Sequence, residues 1–155
     1  MSGTSDVFDA NADRAQVCTL RFEQFGGVRL FSGEIATVRC FEDNVLLKQL
    51  VETPGEGRVL VVDGGGSLNC ALAGDKVVGA AAASGWTGLV LNACIRDSAE
   101  LARLPIGVKA LGTCPRPSGK TGAGEIGVPV TFGGIELAPG GLLYADDDGV
   151  VVLAP

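Results

Sequence analysis

The residues best suited to chemistry lie in two short segments, and the first is the pair Arg96-Asp97. It follows the apolar run 86–92 (WTGLVLN), which predicts a buried strand. A guanidinium can hold a carboxylate through two parallel hydrogen bonds, and a neighbouring aspartate can take a hard divalent cation. Glu100 follows one helical turn later. The pair therefore indicates a site for a small acid, a metal ion or both.

The second segment, Gly74-Asp75-Lys76-Val77, has the composition of a helix start. The N–H groups of a first helical turn have no partner within the helix and favour an anion. Strand ends and helix starts meet at one edge of a sheet built from crossover units, so we expect the two segments to face one site. The alternative is structural: a salt bridge at Arg96-Asp97 together with a helix cap.

The absence of histidine restricts the mechanisms open to this protein. Neither a Ser-His-Asp or Cys-His nucleophile nor a zinc site with imidazole ligands can be built. Acid–base chemistry must come from carboxylates, Lys, Tyr, Cys or bound water. The chain has 12 Lys+Arg against 18 Asp+Glu, a formal charge of −6, which argues against direct nucleic-acid binding.

The cysteine pattern and the hydropathy bear on the environment of the protein. Five cysteines occur without a CxxC pair, so a thiolate zinc site is not expected. An odd cysteine count and the lack of a recognisable signal peptide favour reduced thiols in the cytoplasm. The apolar runs are far shorter than the roughly 20 residues of a transmembrane helix. We expect a cytoplasmic protein, with Cys40, Cys70 and Cys94 as buried apolar side chains.

Three further motifs have both a chemical and a structural interpretation. Gly122–Gly127 matches GxGxxG but follows a polar loop and precedes a strand-like run, which favours a loop over a dinucleotide site. The amides of Gly64–Gly66 could face a ligand or serve close backbone packing. Asp146–Asp148 precede a glycine between two apolar runs, which is typical of a solvated turn rather than a metal cluster.

The elements that would position these residues alternate between short strands and short helices. Apolar runs predict strands at 30–40, 58–63, 68–72, 86–92 and 107–114, and helices at 45–51, from 75 onward and at 98–103. The chain then becomes β-rich, with strands at 128–131, 135–137, 142–145 and 150–153. The order strand, helix, strand with short links predicts parallel crossovers. A single mixed α/β domain follows.

Several stretches resemble, in the same order, the RraA family, which contains the regulator of ribonuclease activity A and the class II 4-hydroxy-4-methyl-2-oxoglutarate aldolases. The resemblance extends over residues 16–153 and rests on GGVRLFSGEIATVRCFEDNVLLKQLVE, GRVLVVDGGGSLNCALAGD, SGWTGLVLNACIRD, IGVKALGTCPR, TGAGE and LLYADDDGVVV. It implies a swivelling β/β/α three-layer sandwich. From the length and the polar start of the chain we expect one domain over 1–155, with 1–15 partly mobile. The resemblance also implies a ring-shaped homotrimer, or a hexamer of two trimers, with sites in clefts between subunits.

In the aldolase branch of this family, a Gly-Asp at a helix start and an Arg-Asp-x-x-Glu/Asp motif form the active site. The resemblance implies that Arg96 and Asp97 are catalytic and that Asp97 holds Mg²⁺ or Mn²⁺, with Glu100 outside the ion's direct ligands. Substrate would bind to Arg96 and to the helix start, formed by Gly74, Asp75, Lys76 and Val77. The family's older description as a demethylmenaquinone methyltransferase fits poorly, because the chain lacks a convincing nucleotide-cofactor motif.

The activity implied is retro-aldol cleavage of 4-hydroxy-4-methyl-2-oxoglutarate to pyruvate, with oxaloacetate decarboxylation as a side activity through the same pyruvate enolate. A bound water would carry the proton. A competing enzyme mechanism uses a lysine Schiff base at Lys76 or Lys109. The alternative function is non-catalytic: an acidic ring that binds an RNase E-type endoribonuclease or an RNA helicase and blocks access of RNA.

Overall fold

The computed structural model describes residues 2–155, and these form four helices and twelve strands. The helices are α1 Thr4–Ala10, α2 Val45–Val51, α3 Asp75–Ala83 and α4 Ser98–Leu101. The strands are β1 Gln16–Cys18, β2 Glu23–Gln24, β3 Phe31–Arg39, β4 Val59–Asp63, β5 Ala71–Ala73, β6 Gly88–Ile95, β7 Gly107–Thr113, β8 Glu125–Ile126, β9 Val130–Phe132, β10 Ile135–Leu137, β11 Leu142–Asp146 and β12 Gly149–Leu153. The predicted mixed α/β architecture is confirmed.

A parallel sheet forms the middle of the molecule. Its strands lie in the order β3-β4-β6-β7, and each neighbouring pair is parallel. Strand β5 adds a further parallel pairing at the carboxyl end of β6. All eight residues of β6 are buried, because both faces of the sheet are covered. The parallel crossovers predicted from the order of the elements are therefore present.

Strand β3 links the parallel sheet to an antiparallel layer. Its first half pairs antiparallel with β11, and its second half pairs parallel with β4. Strands β12 and β1 extend the antiparallel layer beyond β11. One apolar core lies between the two sheet layers and the other between the parallel sheet and helices α2 and α3. The result is the expected three-layer β/β/α sandwich.

Two glycines at the start of neighbouring parallel strands allow the ring of Phe31 to pack against the sheet. Gly88 and Gly107 are register partners in β6 and β7. A Cβ atom at either position would collide with the ring of Phe31, which is 1% exposed. The two glycines thus leave space for the Phe31 ring, consistent with dense interior packing.

One predicted strand is displaced in the structure. The run 68–72 predicts a strand, but β5 covers Ala71–Ala73 and Leu68 lies in a loop with 64% of its surface exposed. The side chains of Ser67 and Asn69 donate hydrogen bonds to the Glu42 carboxylate, and these contacts turn residues 67–70 out of the extended conformation. Cys40, Cys70 and Cys94 are buried, as predicted.

The aspartate-rich turn is structural, as the sequence predicts. Asp146 accepts hydrogen bonds from the backbone N–H and the hydroxyl of Thr4, at 2.8 and 2.7 Å, and from the Asp148 amide at 2.9 Å. Burial alone would raise the pKa of Asp146, but these hydrogen bonds outweigh it and lower the pKa. Arg29 forms an ion pair with Asp147 at 2.8 Å. The turn therefore anchors α1 to the end of β11.

Within residues 2–155, no helix is both long enough and apolar enough to cross a bilayer.

Candidate functional site

The two segments singled out from the sequence lie side by side at the carboxyl edge of the parallel sheet. Gly74 and Asp75 follow β5, whereas Arg96 and Asp97 follow β6. Because β5 and β6 are paired in parallel, both segments leave the sheet at the same edge. A backbone hydrogen bond from Arg96 N–H to the Ala73 carbonyl, 2.9 Å long, holds them together.

Asp97 sits in a turn that directs its carboxylate at the start of α3. Its φ and ψ of 58° and 42° lie in the left-handed region, which aspartate tolerates better than most residues. Its Oδ2 accepts a hydrogen bond of 3.0 Å from the Asp75 N–H. Its Oδ1 forms no hydrogen bond with the part of the chain that the structure describes. One oxygen therefore caps the helix, and the other is available to a ligand.

Gly74 makes this contact possible. A Cβ atom on Gly74 would collide with Asp97 Oδ2 and would lie 3.1 Å from Arg96 Cγ. The backbone at Gly74 is extended, with φ −136°, so the requirement is for space and not for a left-handed conformation. Glycine is needed here because the carboxylate approaches the backbone closely.

Arg96 is free of an acidic partner. Its Nη1 donates one long hydrogen bond of 3.4 Å to the Pro115 carbonyl. Among residues 2–155 the ion pairs are Arg29–Asp147 and Arg39–Glu125, and Arg96 forms none. The structural alternative combined a salt bridge at Arg96-Asp97 with a helix cap. Within residues 2–155 the cap is present and this salt bridge is not. The guanidinium is exposed and available to an anion.

A cavity of about 230 Å³ lies between these segments, helix α2 and the loop before β8. Four cationic side chains and two carboxylates line it: Lys48, Lys76, Arg96 and Lys120, with Asp75 and Asp97. In a chain with a formal charge of −6, this is a strong local concentration of positive charge. Such a cavity attracts a ligand that carries more than one negative charge.

Lys120 is held at this cavity by a chain of hydrogen bonds. Its Nζ donates to Asn44 Oδ1 at 2.7 Å, and Asn44 Nδ2 donates to the Leu72 carbonyl at 2.9 Å. Asn44 is 6% exposed, so its amide is well shielded from competing water. These two hydrogen bonds connect the loop that carries Lys120, the start of α2 and residue Leu72 of β5, and together they form one wall of the cavity.

Asp43 fastens the loop that carries Lys120. Its carboxylate accepts hydrogen bonds from both the N–H and the hydroxyl of Thr121, and from the amides of Gly122 and Val45. Burial alone would raise the pKa of Asp43, but these hydrogen bonds outweigh it and hold the pKa below its usual 3.8. By linkage, the attachment stabilises the protein fully above about pH 4 and is lost as the pH falls through the lowered pKa.

Replacing Asp43 by asparagine should release this loop at neutral pH. The asparagine NH₂ group would face N–H donors, so buried hydrogen bonds to a charged acceptor are lost. We expect the free energy of unfolding to fall by about 2–3 kcal/mol and the amides of 119–123 to exchange faster. Denaturant titration and hydrogen-exchange mass spectrometry measure the two effects. Glu125→Gln, which breaks only the exposed ion pair with Arg39, is the control and should leave loop exchange unchanged.

The structure brings together most of the predicted site residues. Gly74, Asp75, Lys76, Val77, Arg96 and Asp97 all line the one cavity. Glu100 does not line it; this side chain is exposed on α4. The spacing of one helical turn between Asp97 and Glu100 does not place the two side chains at one site. Asp97 is the left-handed residue that precedes α4 and is not part of that helix. Asn44, Lys48, Ser118 and Lys120 line the cavity without having been predicted.

The donors present suit a hard divalent cation held by few protein ligands. Across residues 2–155 there is no cluster of three or more His, Cys, Asp or Glu side chains placed to bind a metal. Mg²⁺ commonly retains several waters and is held by one or two carboxylates, and the open Oδ1 of Asp97 is an oxygen donor of that kind. The residues therefore fit Mg²⁺ or Mn²⁺ and do not fit a structural zinc site.

Lys109 and the two glycine motifs lie outside this cavity. Lys109 alternates along β7 with Val108 and Ala110, which belong to the helix-side core, so it points to the opposite face of the sheet. Burial lowers the pKa of Lys109, and the carboxylates of Asp147 and Asp146 partly oppose this shift. Gly122–Gly127 contains the short strand β8 and is followed by strand β9 rather than by a helix. The amides of Gly64 and Gly66 donate to the Asn92 carbonyl, which supports the packing interpretation.

The fold and the cavity define a small α/β protein with a cationic site at a sheet edge. The family model for RraA-like proteins (Aldolase/RraA) matches residues 4–152, and the chain belongs to this family. The family includes both aldolase-type enzymes and ribonuclease inhibitors.

Solved structures agree with this membership. A protein of Geobacillus kaustophilus described as S-adenosylmethionine: 2-dimethylmenaquinone methyltransferase is 51% identical, with a TM-score of 0.96 over 98% of this chain and 94% of that chain. The RNA-processing inhibitor RraA of Thermus thermophilus is 41% identical, with a TM-score of 0.95 over 99% and 93%. An unusual member of the RNase ES inhibitor RraA family from Streptomyces coelicolor is 25% identical, with a TM-score of 0.80 over 99% and 80%.

Proposed function

We propose that this protein is a divalent-metal-dependent lyase that cleaves 4-hydroxy-4-methyl-2-oxoglutarate to pyruvate and decarboxylates oxaloacetate as a side activity. The observation that carries the proposal is the Asp97 carboxylate, seated on the start of α3 beside an unpaired Arg96 in a cationic cavity. Membership of a family that includes aldolase-type enzymes supports it. Both reactions generate the enolate of pyruvate, so one site can serve both.

The bond changes define what the cavity must do. The C3–C4 bond of the substrate breaks as the C4 hydroxyl loses its proton and becomes the carbonyl of one pyruvate. The electron pair of that bond passes into the enolate of the other pyruvate, which is then protonated at C3. Negative charge therefore grows on the 2-oxo oxygen, and stabilising that charge is the main task of the site.

Residues at the helix start and at Arg96 are suited to bind the two ends of such a substrate. Arg96 can clamp the carboxylate beside the 2-oxo group through two hydrogen bonds. The Asp75 amide is occupied by Asp97, which leaves the amides of Lys76 and Val77 for a substrate oxygen. A divalent cation held by Asp97 would supply positive charge next to the 2-oxo oxygen. Because the chain has no histidine, a water oriented by the Asp75 carboxylate is the proposed proton carrier.

Removal of divalent metal tests the mechanism. With EDTA, pyruvate formation from 4-hydroxy-4-methyl-2-oxoglutarate and from oxaloacetate should cease, and excess Mg²⁺ or Mn²⁺ should restore both. Incubation with pyruvate and borohydride should leave the mass of the protein unchanged. Activity that survives EDTA, together with a trapped adduct on Lys76, would overturn the metal mechanism in favour of a Schiff base.

A second candidate function is inhibition of RNA processing, which is the described role of the Thermus thermophilus neighbour. With four cations gathered in the cavity, the outer surface of this chain is more acidic than its net charge suggests. Such a surface can compete with RNA for the basic face of an RNase E-type endoribonuclease or a helicase. Inhibition of RNA cleavage that weakens with added salt would support this role.

We also propose that the protein assembles as a homotrimer or hexamer with the cavity near a subunit boundary. Phe41 and Leu68 are both 64% exposed. Phe41 follows the end of β3 and Leu68 follows the end of β4, so both lie at the carboxyl edge of the parallel sheet, where the cavity also lies. Exposed apolar side chains of this size are typical of a protein–protein contact. Light scattering after gel filtration measures the assembly directly.

A further inference from the structure

We propose that Cys94 and Cys114 form a reversible disulfide when the protein meets a hydroperoxide, and that this bond displaces Arg96 from its position at the cavity. The two thiols lie beside the site already described and take no part in binding substrate. The loss of activity expected on oxidation rests on the proposed function, whereas formation of the disulfide does not. The pair thus constitutes a redox-sensitive switch at the edge of the site.

The two thiols lie on neighbouring parallel strands. Cys94 in β6 is the register partner of Gly112 in β7, and Cys114 follows Gly112 by two residues. The N–H of Cys114 donates to the Ile95 carbonyl at 3.0 Å, so the ladder between the strands continues up to Cys114. Side chains alternate along a strand, which places Cys114 on the same face of the sheet as Gly112 and Cys94.

Gly112 leaves open the path between the two thiols. A Cβ atom at Gly112 would meet no atom of residues 2–155 within 4 Å, apart from the two flanking residues of the chain. A larger residue at this position would lie directly beside Cys94 and between it and Cys114. Glycine therefore permits the approach that a disulfide between these two residues requires.

The ionisation of Cys94 is affected by Cys114. Burial is the main cause that raises the pKa of Cys94, and among the neighbouring charges Cys114 contributes most to the increase, ahead of Cys70. Cys70 belongs to the helix-side core, as do Ala93 and Ile95, which flank Cys94 in the strand. Cys94 therefore points to the face opposite Cys70, and it is the partner that Cys114 meets on its own face.

Cys114 is the thiol that a reagent in solution reaches first. The other four cysteines are buried, whereas Cys114 is half-buried. It lines a cavity of about 270 Å³ whose wall also contains Arg96 and Asp97. This volume is several times the roughly 30 Å³ that one water molecule occupies in the liquid, so a small hydroperoxide fits. The raised pKa of Cys94 keeps that thiol protonated and less nucleophilic, so oxidation begins at Cys114.

Oxidation proceeds in two steps, with the hydroperoxide as the oxidant. The Cys114 thiolate attacks one peroxide oxygen, the O–O bond breaks and the departing oxygen takes up a proton, which leaves a sulfenic acid on Cys114. The Cys94 sulfur then attacks the sulfenic sulfur, the S–S bond forms, and the hydroxyl leaves as water with the Cys94 proton. Two thiols are oxidised and one peroxide is reduced. A dithiol such as dithiothreitol reverses the change.

Formation of this bond must move the backbone that contacts Arg96. Diagonal neighbours on adjacent strands lie farther apart than directly opposed residues, and a disulfide needs Cα atoms within about 7 Å. Cys114 is therefore drawn towards Cys94 and away from the Ile95 carbonyl. The carbonyl of Pro115, the next residue, accepts a hydrogen bond of 3.4 Å from Arg96 Nη1 and moves with Cys114. The guanidinium then loses its position at the cavity.

Peroxide treatment of the reduced full chain tests the switch. Excess hydrogen peroxide is removed by catalase before the assay, because peroxide itself consumes 2-oxo acids. The treated protein should be lighter by two hydrogen atoms, with the peptides of Cys94 and Cys114 linked, and the Cys114 amide should exchange its hydrogen faster. The rate of Mg²⁺-dependent pyruvate formation should fall about tenfold or more, and dithiothreitol should restore it.

Cysteine variants separate the disulfide from other oxidation. After the same treatment, Cys94→Ala and Cys114→Ala should contain no linked peptides and should keep most of the activity of their reduced forms. Cys70→Ala is the matched control, because it removes the third nearby thiol from the other face of the sheet. This variant should form the disulfide and lose activity as the wild type does.

The outcomes separate this inference from the proposed function. Treated wild-type protein with no link, or with Cys114 linked to Cys70, would overturn the thiol pair. An equal loss of activity in treated Cys94→Ala would show that the disulfide is not the cause. Linked protein with unchanged exchange at Cys114 and unchanged activity would overturn the effect on Arg96. Reduced wild-type protein that forms no pyruvate would contradict the proposed function, while the peptide map and the exchange rate would still decide on the disulfide.

Discussion

Replacing Asp97 by asparagine should lower the rate of Mg²⁺-dependent oxaloacetate decarboxylation by about a thousandfold or more, equivalent to ~4 kcal/mol of transition-state stabilisation. The side-chain oxygen of asparagine can still accept the Asp75 N–H, so the cap on α3 survives. Asparagine also tolerates the left-handed backbone at this position, where alanine would add strain. What disappears is the negative charge that would hold the cation.

The measurement is steady-state pyruvate production across a Mg²⁺ titration, with thermal unfolding to show that the fold is intact. Asp148→Asn is the matched control, because it removes a carboxylate from an exposed turn remote from the cavity. Its activity should equal that of the wild type. Full activity of the Asp97 variant at low Mg²⁺ would contradict the assignment of Asp97 as the metal ligand.

The part of the site that the sequence predicts is the part that local rules determine. Gly74-Asp75 ends one strand and starts a helix, and Arg96-Asp97 ends the next parallel strand. In a sheet with crossover connections, such ends lie at one edge regardless of the details of packing. The 3.0 Å contact between Asp75 N–H and Asp97 Oδ2 follows from that placement.

The remainder of the cavity depends on contacts between distant parts of the chain. Lys120 reaches Asn44 across 76 residues of sequence, and the Asp43–Thr121 contact spans 78. Residues 115–127 show no periodicity that would orient a side chain, so the segment predicts only a loop. Its position is set by the buried carboxylate of Asp43, whose neighbours in sequence resemble an ordinary helix start.

The fold shows the same division between local and distant determinants. Strands β4 and β6 are continuous apolar runs and are predictable from sequence. Strand β3 is also predicted at nearly its observed extent, but its pattern does not show that its first half pairs antiparallel with β11 and its second half pairs parallel with β4. Periodicity reports burial on each face, and it carries no information about which strand lies alongside.

Replacing Gly74 by alanine should reduce activity about a hundredfold. The sequence predicts Gly74 at a helix start, but only the structure shows how closely Asp97 approaches it. The backbone at Gly74 has a negative φ, so alanine is acceptable there in the absence of neighbours. Its new Cβ would collide with Asp97 Oδ2, so the carboxylate must move away from the start of α3. A displacement of about 1 Å in a catalytic group is enough for a loss of this size.

Gly79→Ala provides a control within the same helix. A Cβ at Gly79 meets no atom within 4 Å, so this variant should keep full activity and gain about 0.5–1 kcal/mol in the free energy of unfolding from improved helix propensity. Comparing kcat and Mg²⁺ affinity for the two variants isolates the effect of crowding Asp97. If Gly74→Ala retained wild-type kcat and Mg²⁺ affinity, the carboxylate would not need its observed position against α3. The arrangement of Asp97 on the helix start would then be a structural cap and not the basis of catalysis.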